Sequence, residues 1–589
     1  MSLVWSRARL DTDIDTEVSP LFLPHPLSFS LSCQFLSFSC ELFTVELGSR
    51  TSHKMWAPWQ QWLVWLAIRP VVAVFWTLSH ILCIFHRRNP LPPVSSQLLL
   101  YSASDLARMV RSRKVHCQDI IQAYVTRIKE VNPIINAVVQ SRFDQALEEA
   151  KKIDAMLAET LCTEEELARD KPLLGVPITI KESIPVKGMS NNAGVPNRSR
   201  VAKEDSDAVA RLRTRGAVVL VVSNTPELCL SWETYNPVTG RTNNPYNTAR
   251  TSGGSSGGEG ALLGSAASVI GLGSDIGGSG RVPASFCGVF GHKPSSGYIN
   301  AKDHMPTSED PLWPKVFVFA PMARYSEDLP LLYSSCVEDE NRLKELRLDE
   351  PVDLRKVKFY YMDSDGSKIT SSVCGDVKAA LNKTIAHVEN SLGVKVEKMN
   401  IDEFKHTAQL SCIMLLRMKA CHTIFQKSED SITEWKSVLW QWILWFLCLS
   451  PHTLHALIYG AMKKWFADVY SEQEACRMDE CKDLIFQKLN DCLGDNGVLL
   501  YPAFPDPAHL HMQIYFKQVN AAYLSFFNLV DMPATAFPVM LNSKGLPVGL
   551  QAVAGRGQDR LTLAVAREME KAFGGWVPPT GTDMMEVKS

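Results

Sequence analysis

The chain has little of what marks several common protein classes. Neither charge is in surplus: 61 lysines and arginines face 63 acidic residues, a net of −2. That leaves no basic footprint for nucleic acid. There is no Cys-x-x-Cys pair. The 15 cysteines are scattered, and Cys476 and Cys481 have no matching Cys or His pair at finger-like spacing. They read as free, mostly buried thiols rather than a disulfide scaffold or metal site. No internal repeat, low-complexity tract or Walker A loop is present. The dinucleotide fingerprint GxGxxG also fails, because Gly271 and Gly273 are followed by Ile276 where the third glycine belongs.

The N-terminal region changes character at Met55. Residues 1–54 mix Ser, Leu, Phe and Pro without a period. They read as a leader that precedes the working protein, with Met55 as the true start. Residues 55–90 read as a membrane anchor. From Trp62 to Phe85 the stretch is apolar enough and long enough to span a bilayer, with Trp56, Trp59 and Trp62 suited to an interfacial belt. Arg69 and Pro70 interrupt it, since an intramembrane charge is costly and proline breaks a helix. An anchor lying in one leaflet is therefore the competing expectation. His86, Arg87 and Arg88 follow the anchor, so the positive-inside rule favours a cytosolic body. The sequons at Asn197 and Asn382 would matter only in a luminal one.

Beyond the anchor, residues 102–160 read as helical, with Ser102 or Ser104 as first cap. A strand follows within 173–180, then a helix from Asp207 to Arg215 stopped by Gly216, and a strand at 217–222. Further strands are expected at 268–273, 315–320, 356–361, 497–501 and 548–554, with helices at 373–392 and 559–573. This alternation predicts an α/β fold, a mixed or parallel sheet flanked by helices. Residues 435–466 are rich in Trp and Leu, and Pro451 divides them into two predicted helices. They read either as a buried hairpin or as an amphipathic cap dipping into a membrane, with Lys436, Lys463 and Lys464 at the headgroups.

Chemistry concentrates in residues 251–284, TSGGSSGGEGALLGSAASVIGLGSDIGGSGRVPA. Such glycine density is unfavourable for folding and is useful where backbone turns sharply or approaches a ligand. Residues 253–257, GGSSG, formally fit the GxSxG nucleophile elbow of an esterase or lipase, which would recruit a histidine such as His387 or His509. Nothing marks either histidine for the role.

A longer pattern overlies the elbow. Gly253-Gly254-Ser255-Ser256-Gly257-Gly258, then Gly271, Gly273, Asp275, Gly277, Ser279, Arg281 and Pro283, resembles the signature of the amidase signature family, in register. GVPITIKES (175–183) and GLPVGLQ (545–551) resemble two more of its strands. The resemblance covers residues 100–575 and implies one α/β domain with a mixed sheet. It also implies a Ser-Ser-Lys site: Ser279 as nucleophile, Ser255 as relay beside an unusual cis peptide bond, and Lys181 as base. The N–H groups of Ile276, Gly277, Gly278 and Ser279 would form the oxyanion hole. Within the family, TNNPYN (242–247), SDIGGS (274–279), the Trp-rich cap and EKAFGGWVPP (570–579) are most similar to its fatty-acid amide hydrolase branch, the type-2 form above all. That implies lipid amide substrates (primary amides and N-acylethanolamines), no metal or organic cofactor, a membrane partner such as the endoplasmic reticulum or a lipid droplet surface, and a homodimer by analogy.

The chemistry is coherent. A serine hydroxyl is a poor nucleophile until a base takes its proton. Lysine can be that base only when neutral, which burial achieves by lowering its pKa. Strand alternation sends Glu182 to the opposite face from Lys181. One departure stands out: Gly280 follows the nucleophile where the family carries a branched aliphatic residue. It motivates a competing expectation, a lipid carrier that keeps the fold without turnover.

Overall fold

The computed structural model describes residues 77, 81 and 89–579, apart from 197, 419–422, 426–435 and 467–471. The expected leader, nearly all of the expected anchor and the Asn197 sequon lie outside the described residues. Among those described, no helix is long and apolar enough to cross a membrane.

The organising element is one mixed sheet of eleven strands. In chain order these are β1 (Val138–Ser141), β2 (Pro177–Lys181), β3 (Val218–Ser223), β4 (Ile270–Asp275), β5 (Phe290–Lys293), β6 (Val318–Ala323), β7 (Lys358–Tyr361), β8 (Val396–Lys398), β9 (Gly497–Pro502), β10 (Ala534–Leu541) and β11 (Pro547–Ala554). Across the sheet they run β1-β3-β2-β4-β6-β5-β10-β11-β9-β7-β8. β2 lies parallel to both β3 and β4, whereas β6 closes antiparallel on β4. β2, β3 and β4 are buried along their whole length. Helices cover both faces of such strands, which explains their near-continuous apolar sequences, PITIK and VVLVVS.

The helices Asp207–Thr214 and Gly257–Gly264 make the connections from β2 to β3 and from β3 to β4. The first starts at Ser206, whose side chain accepts from the Val209 N–H. It ends before Gly216, whose φ of +98° suits glycine. Ser102 caps the helix Ala103–Arg111 by accepting from the Asp105 N–H. Residues 102–160 are not helical throughout: β1 interrupts them, pairing antiparallel with β3. The cysteines within the described residues are free, but they are not mostly buried: Cys117, Cys287 and Cys336 are buried, whereas Cys162, Cys448 and Cys476 are exposed and the rest are partly exposed.

The Trp-rich segment forms two helices, Val438–Phe446 and Leu454–Phe466, on either side of Pro451. Its inner face packs Val438, Trp442, Trp445, Ala456, Leu457 and Ala461 on Ala193, Leu228 and Met305. Its outer face leaves Leu439, Trp440, Ile443, Phe446, Leu447 and Leu449 exposed. Lys463 does not reach outward as expected. Its ammonium donates to the Met418 and Leu416 carbonyls at the end of the helix Thr407–Arg417.

Candidate active site

β2 and β4 are parallel neighbours, so their C-terminal ends lie side by side. Thr179 is opposite Gly271 and Ile180 opposite Leu272. Lys181 closes β2, and its Nζ lies 2.6 Å from Ser255 Oγ and 2.9 Å from Ser274 Oγ. The lysine is fully buried, and burial pulls its pKa below the ordinary lysine value. The Cys229 thiol, Asp275 and Glu259 act in the opposite direction and do not overcome it. Glu182 lies on the other face, as the alternation predicts. Its carboxylate accepts from Ser190 Oγ and from the N–H groups of Asn192 and Ala193.

Ser255 sits between β3 and the helix Gly257–Gly264, and the Gly254–Ser255 peptide bond is cis. Its carbonyl accepts from Thr225 Oγ1 at 3.1 Å. The neighbouring glycines are required by close approach: a Cβ on Gly254 would lie 2.5 Å from the Ser231 carbonyl oxygen. Both serines are buried, Ser255 at 1% exposure and Ser279 at 6%. The Ser279 carbonyl accepts from the Ser256 N–H at 3.1 Å, which ties the two serine-bearing loops together.

Asp275 organises the loop carrying Ser279. It accepts from the N–H groups of Gly278 at 2.7 Å and Gly280 at 3.1 Å, and from Asn528 Nδ2 at 3.0 Å. Arg281 pairs with it in bidentate fashion, 3.1 Å on each arm. Burial alone would raise the Asp275 pKa, but the Arg281 charge and these hydrogen bonds hold it below the usual value. Arg281 also reaches Gln551 Oε1 at 3.0 Å, linking the loop to β11. Trp232 Nε1 donates to the Gly277 carbonyl at 3.0 Å and fixes the orientation of that peptide.

These contacts alter one expectation. The Gly278 N–H is already given to Asp275, so it is not free for an oxyanion. Gly278 instead supplies the turn, with φ at +100°. The N–H groups of Ile276, Gly277 and Ser279 donate to no protein acceptor among the described residues.

The expected Lys181 and Ser255 are brought together, and Ser279 is joined to their loop. Neither histidine of the elbow reading approaches a serine of the site. His387 is bound to Glu568 at 2.9 Å. The His509 ring nitrogens have no hydrogen-bond partner among the described residues, and the ring packs against Phe286 and Phe504. Sequence reasoning missed Ser274, Trp232, Asn528 and His304. Ser274 lies inside the quoted SDIGGS run and was open to discovery. The others sit in no motif.

A buried lysine lies within reach of a serine, flanked by an Asp-braced glycine loop. The chain matches the amidase family, Amidase, over residues 119–563. It belongs to that family. Fatty-acid amide hydrolase 2 of Homo sapiens is 41% identical over 494 residues, covering 83% of this chain and 92% of that protein. Fatty-acid amide hydrolase 2-A of Danio rerio is 40% identical over 523 residues, covering 87% and 96%. A solved structure described as fatty acid amide hydrolase superposes with a TM-score of 0.66 at 21% identity, covering 94% of this chain and 95% of that one. At that identity the superposition speaks for the fold alone. This amidase therefore has the single α/β domain and mixed sheet that its sequence predicts.

Proposed function

We propose that this amidase hydrolyses fatty-acid amides at a membrane surface, with Ser279 as nucleophile, Ser255 as relay and Lys181 as base. The observation that carries the mechanism is Lys181 Nζ, buried, without a salt-bridge partner among the described residues, 2.6 Å from Ser255 Oγ. A neutral amine there accepts the Ser255 proton while Ser255 accepts that of Ser279, whose oxygen attacks the amide carbonyl. The N–H groups of Ile276, Gly277 and Ser279 stabilise the resulting oxyanion, and each such donor is worth roughly 3–4 kcal/mol. Protons then return through Ser255 to the leaving nitrogen, which departs as an amine and leaves the acyl group on Ser279. Water, activated through the same relay, releases the fatty acid.

Two observations support the lipid substrate class. The relatives at about 40% identity are fatty-acid amide hydrolases. The Trp-rich hairpin also presents an apolar outer face beside the site, and a helix with such a face lies in a membrane interface. Gly280, the sole support for a non-catalytic carrier, has a packing explanation given below.

The test is hydrolysis of oleamide and an N-acylethanolamine by membranes carrying the full chain, alongside Ser279→Ala and Lys181→Ala. Loss of activity in both variants, and loss of fluorophosphonate labelling in Ser279→Ala, is the expected result. A Lys181→Ala variant near the parent rate at pH 7 would overturn the base assignment. A parent that cleaves only short amides would overturn the lipid substrate class.

A further inference from the structure

His304 lies on the loop after β5, buried, far in sequence from Lys181 but adjacent in space. Its Nδ1 is 2.8 Å from the Pro306 carbonyl oxygen. A carbonyl only accepts, so Nδ1 carries the ring proton. Burial pushes the His304 pKa well below the ordinary histidine value, so the second nitrogen carries none. Nε2 is therefore an acceptor. Its two neighbours are Ser183 Oγ at 2.8 Å and Ser274 Oγ at 3.1 Å, which share its lone pair as donors.

Among the described residues, Ser274 Oγ has one other side-chain hydrogen-bond partner, Lys181 Nζ at 2.9 Å. Its proton can go to His304 Nε2 or to the Lys181 lone pair. With the proton held by His304, Ser274 only accepts, and one N–H of Lys181 is committed to it. The lone pair of the neutral amine is then left for the Ser255 hydroxyl 2.6 Å away.

We infer that His304 is a positioning residue for the proton relay: acting through Ser274, it fixes the donor side of Lys181 so that the amine lone pair faces Ser255. The inference rests on Lys181 being the base. His304 touches no reacting atom. Phe317 and Phe319 pack on its ring, with centroids 4.5 and 6.1 Å away, and hold it in place. The titratable groups around the pair are the Cys229 thiol, Asp275 and Glu259, which face Lys181, and Lys181 itself, which faces His304.

Two substitutions separate the ring nitrogens. His304→Asn retains a donor where Nδ1 meets Pro306 and loses the Nε2 acceptor. His304→Gln retains an acceptor at the reach of Nε2. The expected result is a kcat about tenfold or more lower in H304N with KM little changed, and most of the rate restored in H304Q, in keeping with the size of proton-transfer effects. In H304N the freed Ser274 proton can occupy the Lys181 lone pair. That stabilises the neutral amine, so the acid limb of kcat/KM moves to lower pH while its plateau falls. Ser274→Ala also moves that limb to lower pH, because it removes an acceptor of the ammonium form, and adding H304N to it lowers kcat no further. Equal kcat and pH profiles in H304N and H304Q, or losses that add in the double variant, would make His304 a packing residue. Should neither variant fold, Ser274→Ala decides alone: a parental rate and pH profile would sink the inference. Lys181→Ala distinguishes the two levels, because a near-parental rate there removes the base assignment whatever the His304 variants do.

Discussion

At the scale of single residues, Gly280 and Glu259 carry the sharpest consequences. A Cβ built on Gly280 would lie 2.6 Å from the Cβ of Ala320 on β6. The methyl group of Ala320 thus fills the space that a side chain at position 280 would use. Gly280 is in this light a packing solution and leaves Asp275 free to hold the loop. Gly280→Ala is expected to be destabilising by about 1–3 kcal/mol, as overpacking generally is, and to slow turnover. Adding Ala320→Gly should restore both, read by thermal unfolding and by hydrolysis rate. Glu259 is buried in the first turn of the helix after Ser255 and accepts from Thr179 Oγ1 at 2.6 Å. Burial pushes its pKa up to about 7. The folded state therefore holds this proton where the unfolded chain has lost it, and stability falls as pH rises from the ordinary carboxyl range through about 7. Glu259→Gln keeps a neutral group of the same shape. Its melting temperature relative to the parent is expected to be higher at pH 8 than at pH 5; a constant difference across that range would refute the assignment.

At the scale of elements, the Trp-rich hairpin is fastened to the loop that borders the site. The Glu227 carboxylate accepts from His452 Nδ1 at 2.7 Å, and from the Thr453 N–H and Oγ1 at 2.7 and 2.9 Å. The next residues, Leu228 and Cys229, adopt left-handed φ of +52° and +57°, and Leu228 packs into the hairpin's inner face. His455 on the second helix meets Ser231 at 3.1 Å, one residue from the Trp232 that braces Gly277. The inner face is thus specified by contacts and the outer face is left apolar. Leu439→Glu with Phe446→Glu on that outer face should weaken binding to liposomes and raise KM for a long-chain amide. The rate on a short soluble amide should stay near parental, since neither side chain enters the core. Equal liposome binding by variant and parent would exclude the hairpin from the membrane contact. Pro451 and the aromatic content made two helices legible in the sequence, but which lysine turned inward was set by the Met418 and Leu416 carbonyls, which no local pattern announces. Strands were legible where apolar β-branched runs were uninterrupted, as in β3. β6 begins later than expected because Trp313–Val316 form a short helix, and it runs on through Pro321, opposite Leu272. β10 was missed because it carries Pro538, which sits at an irregularity in the pairing with β11 where a missing N–H is tolerated.

At the scale of the whole molecule, the signature residues were readable because Ser255, Asp275, Ser279 and Arg281 lie within one short stretch whose spacing is set by a single strand–helix–strand passage. Lys181 was readable from its own strand motif. Gln551 lies in the GLPVGLQ strand, but nothing there announces its partner Arg281. His304 and Asn528 sit in no motif and meet the site only through the tertiary fold. The same closure extends to the end of the described chain. Trp576 is buried at 2% exposure, and its Nε1 donates to the Gly264 carbonyl at 3.0 Å, at the C-terminal end of the helix that follows Ser255. Arg324 lies over its ring at 4.9 Å, and Tyr246 OH donates to the neighbouring Val577 carbonyl at 2.5 Å. The last residues of the fold therefore pack against the segment that carries Ser255. Trp576→Ala removes a large buried ring and leaves the Gly264 carbonyl unpaired, a change expected to be destabilising by about 3–5 kcal/mol. Trp576→Phe keeps most of the apolar volume and loses the hydrogen bond, and should be destabilising by roughly 1–3 kcal/mol. Denaturant unfolding followed by tryptophan-independent circular dichroism reads both, with hydrolysis measured in parallel. If the C-terminal segment braces the relay, activity in Trp576→Ala should fall at temperatures below the onset of unfolding. Activity that declines only with the folded fraction would assign Trp576 to global stability alone.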